Sequence, residues 1–185
     1  MSADLRDALA LARAGDERGF STIYAELAAN VNRYAHSRNV EDPEQFTNDV
    51  FLSAFRSLDR FEGDEDRLRG WIFTIARNRA IDDARRRSRR PTIADADVPE
   101  ETTPGADVVA LRDLEADHVT DQLAVLTDEQ REVLMLRLVA GLTIAEVADT
   151  VGREIGAVKA LQRRAIRRLQ KELPDDPYPS DHHER

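Results

Sequence analysis

Residues 142–169 read LTIAEVADTVGREIGAVKALQRRAIRRL, and this stretch decides the fold of the second half of the chain. Thr143 and Glu146 have the spacing of a capping box, in which each side chain bonds the backbone amide of the other residue and a helix begins. Gly152 ends that helix after about two turns, because glycine readily adopts the left-handed conformation of a helix end. A longer helix follows directly. Short helix, glycine turn and longer helix together predict a helix-turn-helix.

The longer helix of this motif is amphipathic and strongly basic on one side. Its apolar residues recur at helical spacing and are expected to face inward: Ile155, Val158, Ala165 and Leu169. Its cations are expected to face outward: Lys159, Arg163, Arg164, Arg167 and Arg168. A plain helical hairpin with a solvated charged face would show the same spacing. The density of cations favours a helix that enters the major groove of DNA.

The distribution of charge supports this interpretation, although the chain as a whole is acidic. Its 185 residues carry a net charge of −9. Residues 67–90 and 131–173 are nevertheless basic, with net charges of +7 and +4, and acidic segments flank both. Because the local field governs contact with phosphates, the overall sign does not exclude binding to nucleic acid.

Composition and motifs exclude several other classes of protein. The chain has no cysteine, so disulfides and thiolate metal sites are excluded, and its four histidines form no plausible metal site. It has no glycine-rich phosphate loop and no paired carboxylates, so we predict no catalytic, cofactor-binding or metal-binding residues and no enzyme activity. No apolar run approaches the roughly 20 residues of a membrane span, and no signal peptide begins the chain. We expect a cytoplasmic protein that is not embedded in a membrane.

The first half is predicted to consist of amphipathic helices. Residues 3–36 read as helix with a break near residue 15. The residues DPEQ at 42–45 are a strong helix start, with an aspartate cap followed by proline, and that helix is predicted to run to about residue 58. A polar loop over residues 60–66 precedes another amphipathic helix. Trp71 lies among the apolar residues of that helix, which favours a core role.

One face of this last helix is basic beyond its first turns. It carries, in order, Asn78, Asp82, Arg85, Arg86 and Arg89. Cations near the end of a helix also interact favourably with the helix dipole. Five arginines among residues 85–90 exceed what that end effect needs, so the row favours contact with a nucleic-acid backbone.

A segment without periodicity separates the two halves. Residues 91–108 contain three prolines, one glycine and several acids, which predicts a flexible acidic linker. Because this acidic segment lies between two basic domains, one hypothesis is that it folds back on them and competes with DNA. Residues 109–125 are predicted to be helical again. A capping box at Thr127 and Gln130 then opens a helix that is predicted to end at Gly141.

The predicted fold class is therefore all-α, with two small helical domains of which the second is a helix-turn-helix. The predicted domains are residues 1–90 and 109–173, joined by the linker 91–108 and followed by a disordered tail, 174–185.

The two halves together resemble the extracytoplasmic-function sigma factors of bacterial RNA polymerase, of the minimal two-domain type. Residues 42–61 (DPEQFTNDVFLSAFRSLDRF) and 68–87 (LRGWIFTIARNRAIDDARRR) resemble region two of that family. Residues 126–169 (LTDEQREVLMLRLVAGLTIAEVADTVGREIGAVKALQRRAIRRL) resemble region four. The resemblance covers roughly residues 17–173, and the order of the two regions and the length of the linker strengthen it.

The resemblance implies roles that the pattern alone does not assign. The residues implied to bind the polymerase clamp are Gln45, Asn48, Asp49 and Leu52. Those implied to bind the melted −10 element are Phe61, Asp64, Arg67, Arg77, Asn78, Arg85, Arg86 and Arg89. Those implied to bind the −35 element or its phosphates are Thr143, Arg153, Lys159, Ala160, Arg163, Arg164 and Arg167. From pattern alone, a solvated face is the simpler interpretation of the first set.

The chain departs from the usual pattern of this family at four positions. Gln45 stands where an acidic residue is usual, and Phe46 stands where leucine is usual. Leu161 and Gln162 replace the commoner arginine and apolar residue of the second helix. No promoter sequence is therefore transferred from the family.

The resemblance implies a dissociable subunit that directs core RNA polymerase to promoters and helps to melt them. The implied partners are core RNA polymerase, promoter DNA and an anti-sigma factor, with no small-molecule substrate. One alternative is a helix-turn-helix regulator that binds duplex DNA as a dimer, although such a protein does not need the arginine-rich helix of the first half. A DNA-binding enzyme such as a recombinase is a weaker alternative, because residues 1–90 are short and simply helical.

Overall fold

The computed structural model of the chain describes residues 3–89 and 123–172, and every regular element in these two ranges is helical. The first range contains α1 (Ala3–Arg13), α2 (Glu17–Ser37), α3 (Pro43–Arg56), a 3-10 turn (Leu58–Arg60) and α4 (Glu65–Arg89). The second contains α5 (Asp128–Leu138), α6 (Ile144–Val151) and α7 (Ile155–Glu172). The predicted all-α class is confirmed. The predicted linker, the helical prediction over residues 109–122 and the predicted tail lie outside the described residues.

Local capping explains where the helices of the first half begin. Asp42 accepts a hydrogen bond from the Gln45 amide at 2.8 Å, and Pro43 occupies the first turn of α3, as predicted. Asp16 caps α2 in the same way, with 2.9 Å to the amide of Arg18. The guanidinium of Arg18 also bonds this carboxylate, and these bonds lower the pKa of Asp16 to about 2. The cap therefore keeps its charge at all ordinary pH values.

The core of the first half is built around α2, which packs against α1, α3 and α4. Ile23, Leu27 and Val31 follow one stripe of α2 at helical spacing and are almost completely buried. The facing helices bury Val50, Phe51, Leu68, Ile72 and Phe73. Because these contacts orient α3 and α4 relative to α2, their remaining faces are directed outward.

Gly19 lets α1 and α2 approach closely. A Cβ atom added at Gly19 would lie 2.3 Å from the backbone nitrogen of Ala12 and 2.5 Å from the carbonyl oxygen of Ala8. No side chain fits in that space, so the two backbones must separate to accommodate one.

Gly19→Ala is expected to lower the free energy of unfolding by about 1–3 kcal/mol, the usual cost of overpacking a close contact. Urea denaturation followed by circular dichroism measures the change. Gly156→Ala is a matched control, because nothing lies within 4 Å of the position where its Cβ would stand. Since alanine favours a helix over glycine, that control is expected to be neutral or stabilising. A neutral result for Gly19→Ala would contradict the close approach of α1 and α2.

The helix-turn-helix has the local geometry predicted for it. Thr127 with Gln130 and Thr143 with Glu146 both form complete capping boxes, at the starts of α5 and α6. Gly152 ends α6 in the left-handed conformation with φ of 66°. Gly141 also has positive φ, although α5 ends three residues earlier, at Leu138.

The burial of two side chains in the second half differs from the prediction. Ile155, expected to face inward, is 47% exposed. Its neighbours Glu154 and Gly156 are also exposed, so the first turn of α7 projects beyond the packed part of the helix. Leu161, which was not predicted to be core, is buried beside Val158 and Ala165. The inward stripe of α7 thus begins one turn later than predicted.

The two halves contact each other in this structure. Helix α2 packs against α5, and α4 packs against α6.

No helix among the described residues has both the length and the apolar character needed to cross a membrane.

Candidate nucleic-acid and protein interfaces

The outer face of α7 presents a row of cations on a rigid support. Lys159, Arg163, Arg164 and Arg167 are exposed, whereas Val158, Leu161 and Ala165 are buried on the opposite side. This buried side holds α7 against α5 and α6. Ala160, between the cations, is half-buried. Exposed cations on one face of a supported helix form a surface that fits the negatively charged groove of a duplex.

Two other residues predicted for this surface are engaged in contacts within the chain. The Thr143 hydroxyl accepts a hydrogen bond from the amide of Glu146 at 3.2 Å, so its first role is to cap α6. The guanidinium of Arg153 contacts the carboxylate of Glu129. Both residues remain exposed, and an exposed ion pair of this kind is weak enough to exchange for a phosphate.

The basic end of α4 combines exposed arginines with acidic neighbours. Asn78, Arg85, Arg86 and Arg89 are exposed. Arg85 lies 3.6 Å from Asp82, and Arg86 lies 3.5 Å from Asp83. Surface pairs at this spacing contribute little to stability, so the two guanidinium groups are available to phosphates.

Arg77 differs from the other predicted residues of α4 because it is partly buried. Its side chain is 22% exposed, and its Nε atom donates to the Glu132 carboxylate of α5 at 3.0 Å. Glu132 also lies 3.5 Å from the hydroxyl of the buried Tyr34. Burial and the nearby Glu132 carboxylate raise the pKa of Tyr34, so the hydroxyl keeps its proton. Arg77 therefore belongs to a buried polar cluster in this structure.

The loop before α4 is held in place by α1. The guanidinium of Arg13 donates to the carbonyl oxygens of Phe61 and Gly63, each at 2.7 Å. It also lies over the Phe61 ring, 5.5 Å from the ring centroid. The Phe61 ring is buried and stacks on Trp71 with centroids 4.7 Å apart. The buried Phe61 ring thus supports Trp71. Trp71, predicted to be a core residue, is only half-buried.

The polar residues of the loop lie at the start of α4. Asp64 accepts a hydrogen bond from the amide of Arg67 at 3.2 Å, and both side chains are exposed. A Cβ atom at Gly63 would lie 2.5 Å from the Phe61 ring, so the loop passes directly over this ring. The loop thus lies against the stacked rings of Phe61 and Trp71 at the start of α4.

Arg13→Ala is expected to loosen this loop, because it removes two hydrogen bonds and a cation–π contact worth about 1–2 kcal/mol together. Trp71 is the single tryptophan of the chain, so its fluorescence emission reports on the loop directly. We expect a red shift and stronger quenching by iodide. Arg18→Ala, at an exposed arginine on α2, is the control and should leave the emission unchanged. An unchanged spectrum for Arg13→Ala would show that α1 does not hold the loop.

The outward face of α3 carries the four residues predicted to bind the polymerase. Leu52 is 48% exposed, so it places apolar area on the surface of α3. Asp49 accepts a bond from Gln45 at 3.0 Å and pairs with Arg79 of α4 at 2.5 Å. Asn48 accepts a bond from the Tyr24 hydroxyl at 2.9 Å. We call these four residues the α3 face: Gln45, Asn48, Asp49 and Leu52.

Sequence reasoning missed two residues of this region. Tyr24 is exposed on α2, and its ring packs against Phe51 with centroids 4.8 Å apart, so it extends the α3 face. Arg79 orients Asp49 and also donates to the Ser53 hydroxyl at 3.1 Å. Tyr24 lies next to a core position of α2, and Arg79 lies in the segment 67–90, whose net charge is +7. Neither pattern distinguishes these roles from a solvated side chain.

Comparison with known proteins matches both halves. The family model of Sigma-70 region 2 matches residues 21–90, and that of Sigma-70 region 4 matches residues 122–171. The ECF RNA polymerase sigma factor BldN of Streptomyces coelicolor is 30% identical over 179 residues, which cover 95% of this chain and 68% of BldN. The ECF RNA polymerase sigma factor SigK of Mycolicibacterium vanbaalenii is 32% identical over 162 residues, covering 84% and 82% of the two chains.

Solved structures show a similar fold. CnrH, in a complex with the cytosolic domain of CnrY, is 27% identical, with a TM-score of 0.68 over 91% of this chain and 96% of CnrH. The sigma factor RpoE of Bartonella quintana, in complex with the anti-sigma factor NepR, has a TM-score of 0.61 over 82% and 94%. At 24% identity, RpoE indicates the fold alone.

The fold and its two matched regions define a two-region sigma-70-type protein. Within that class, the chain belongs to the ECF RNA polymerase sigma factors. The resemblance predicted from sequence is confirmed, as is the function of directing core RNA polymerase to promoters. Members of this family are regulators rather than enzymes.

Proposed function

We propose that three surfaces of this sigma factor divide its work. The α3 face binds core RNA polymerase, the loop before α4 and the basic end of α4 hold the melted −10 element, and α7 binds the −35 element. The observation that carries this proposal is the set of exposed cations on α7 above a buried apolar stripe. This arrangement supports the entry of α7 into a major groove. The α4 surface is assigned to an unpaired strand and does not need to enter a groove.

The −35 contacts are assigned to Lys159, Ala160, Arg163 and Arg164. Arginine reads guanine through two parallel hydrogen bonds in the major groove, and alanine can make an apolar contact with the methyl group of thymine. The phosphate contacts are assigned to Thr143, Arg153 and Arg167. These contacts position the helix without reading sequence.

The −10 contacts are assigned to the loop and to α4. A base that leaves the duplex needs an aromatic surface to stack on, and the displaced strand needs cations along its backbone. Trp71 is half-buried and supported by Phe61, whereas Asp64, Arg67 and Asn78 are exposed on the loop and on α4. Arg77, Arg85, Arg86 and Arg89 would follow the strand along α4. Binding the open strand better than the duplex shifts the equilibrium toward melting, so no bond-breaking chemistry is needed.

The α3 face is assigned to the polymerase clamp because it combines an exposed leucine with an ordered polar border. Leu52 supplies apolar area, and the chain of bonds from Gln45 through Asp49 to Arg79 orients the polar groups before binding. Interfaces that are ordered before binding lose less entropy on association. Tyr24 adds an aromatic group of the kind enriched in interfaces.

We also expect an anti-sigma factor to bind this chain. The resemblance implies such a partner, and CnrH, a similar structure, was solved with the cytosolic domain of CnrY. The same proposal includes the domain limits 1–90, 91–108, 109–173 and 174–185. It also includes the absence of enzyme activity and of cofactors. It further includes a cytoplasmic location, where RNA polymerase acts.

The experiment is size-exclusion chromatography of the purified chain with bacterial core RNA polymerase, followed by transcription from genomic DNA of the source bacterium. We expect co-migration and new transcripts whose 5′ ends share one promoter motif. Asp49→Ala should weaken co-migration because it breaks the bonds to Gln45 and Arg79, whereas Asp59→Ala, at an exposed position, should not. Failure to bind an active core, together with dimeric binding to palindromic duplex DNA, would favour a conventional regulator.

A further inference from the structure

The contact between the two halves is centred on a buried carboxylate. Glu132 of α5 is 9% exposed and pairs with Arg77 of α4 at 3.0 Å. The hydroxyl of Tyr34, from α2, lies 3.5 Å from the same oxygen. An acidic residue is rarely this buried unless it is paired. The partners of Glu132 come from the other half of the chain, so Glu132 is paired with them only when the two halves are in contact.

Further contacts extend this interface along α4. The guanidinium of Arg69 lies 3.4 Å from the carbonyl oxygen of Ala140, at the end of the turn after α5. Gly70 faces α6, and a Cβ atom at Gly70 would lie 4.0 Å from the Cβ of Glu146. The contact therefore runs over about two turns of α4, from Arg69 to Arg77, at 3.6 residues per turn.

The contact uses a residue that promoter binding also needs. Arg77 is one of the α4 residues that we assign to the −10 strand. While its guanidinium is held by Glu132, it cannot also hold a phosphate. Binding of the strand and docking of the second half thus compete for one side chain.

The distance between the promoter elements gives a second, independent conflict. Positions −10 and −35 are about 25 base pairs apart, which is about 85 Å at roughly 3.4 Å per base pair. Two compact domains of about 90 and 50 residues in contact span only about 55–60 Å in total, from the usual scaling of domain size. The two halves must separate before both elements are bound.

We propose that this chain has a closed, autoinhibited state in which Glu132 docks the second half onto Arg77 and Tyr34 of the first, and that promoter binding requires this contact to open. The inference rests on the proposed function for its inhibitory part, because that part assumes the −10 and −35 roles of the two halves. The docking itself rests only on the described contacts.

A reversible cross-link tests the closed state in the full chain. The chain contains no cysteine, and the 4.0 Å separation at Gly70 and Glu146 lies within the Cβ–Cβ range of about 3.5–4.5 Å for disulfides. The double variant Gly70→Cys/Glu146→Cys should therefore form an internal disulfide on mild oxidation, detected by faster migration on a non-reducing gel. Each single variant is a control, and Glu146→Cys alone also reports the effect of losing the Thr143–Glu146 capping box.

The transcription assay then tests inhibition. We expect the oxidised double variant to lose at least about tenfold in promoter-specific transcription and to recover on reduction, whereas the single variants are insensitive to both treatments. Quantitative cross-linking with undiminished transcription would overturn the inhibitory role. No internal disulfide, although both thiols react with maleimide, would overturn the closed state. Loss of activity in the reduced variant and in the wild-type chain alike would instead count against the proposed function.

A second variant weakens the contact between the two halves and keeps the size and shape of the side chain at position 132. Glu132→Gln removes the charge that binds Arg77, and we expect slower disulfide formation in the cysteine background and several-fold higher affinity for single-stranded −10 DNA. Glu17→Gln, the same change at an exposed position on α2, should alter neither quantity. Unchanged cross-linking and unchanged affinity in Glu132→Gln would show that Glu132 does not hold the halves together.

Discussion

Replacing Arg163 and Arg164 together by alanine is expected to lower promoter-specific transcription by at least about thirtyfold, with core polymerase binding unchanged. Each arginine that bonds a base is typically worth about 1–3 kcal/mol of discrimination, so the pair supplies at least about 2 kcal/mol. Both side chains are exposed on α7, and neither supports its buried stripe. The loss should therefore come from binding and not from unfolding.

Arg168→Ala is the matched control for these variants. Arg168 is exposed on the same helix and carries the same charge, but it was not assigned to a base or a phosphate. We expect it to lower affinity for all sequences slightly, without changing the preference among promoters. Equal effects of Arg168→Ala and of the Arg163/Arg164 variant would mean that α7 contributes charge alone. Loss of core binding in the double variant would contradict the division between the α3 face and α7.

Leu52→Asp is expected to weaken binding to core polymerase by at least about tenfold and to abolish transcription at limiting concentrations of the chain. A buried carboxylate without a partner is strongly unfavourable in an interface, at a cost of more than about 1.4 kcal/mol, which corresponds to the tenfold change. Because Leu52 is already 48% exposed, the substitution should have little effect on folding. Co-migration on size exclusion and fluorescence anisotropy of a labelled chain measure the loss.

Leu11→Asp is the control for this change, since Leu11 is a leucine of α1 that is 36% exposed and does not belong to the α3 face. We expect it to bind core polymerase normally. Thermal unfolding followed by circular dichroism establishes that both variants are folded. If Leu52→Asp is folded and still binds with full affinity, the polymerase contacts another surface of the first half.

Local signals in the sequence were sufficient for the helix starts and the turns of the helix-turn-helix. The capping boxes at Thr127 and Thr143 and the aspartate cap at Asp42 depend on residues at most three positions apart, so their spacing is visible in the chain. The stripe of α7 was predicted less well. Periodicity alone assigns Ile155 to the inner face, whereas its burial depends on whether another helix reaches the first turn of α7.

Local signals in the sequence do not predict the contacts that shape the candidate sites, because these contacts join residues that are far apart in the chain. Arg13 and Phe61 are 48 positions apart, and Arg77 and Glu132 are 55 positions apart. In the sequence, only the family resemblance pointed to Arg77, as a residue implied to bind the −10 element. Its partial burial against a carboxylate of the other half emerged only from the packing of α4 against α5 and α6. Tyr24 gained its place beside the α3 face through the packing of α2 on α3.

The sequence by itself determined the helical class, the positions of the caps, the basic face of α7 and the membership in the ECF sigma family. Each of these features depends on neighbouring residues or on residue types at defined spacings. It can therefore be read from a short stretch of the chain. Only the tertiary structure decided how Asp49 is oriented, how the loop at Phe61 is held and which cation Glu132 binds. Each of these is a polar contact between elements that are far apart in the chain, and its geometry exists only after the cores have brought those elements together.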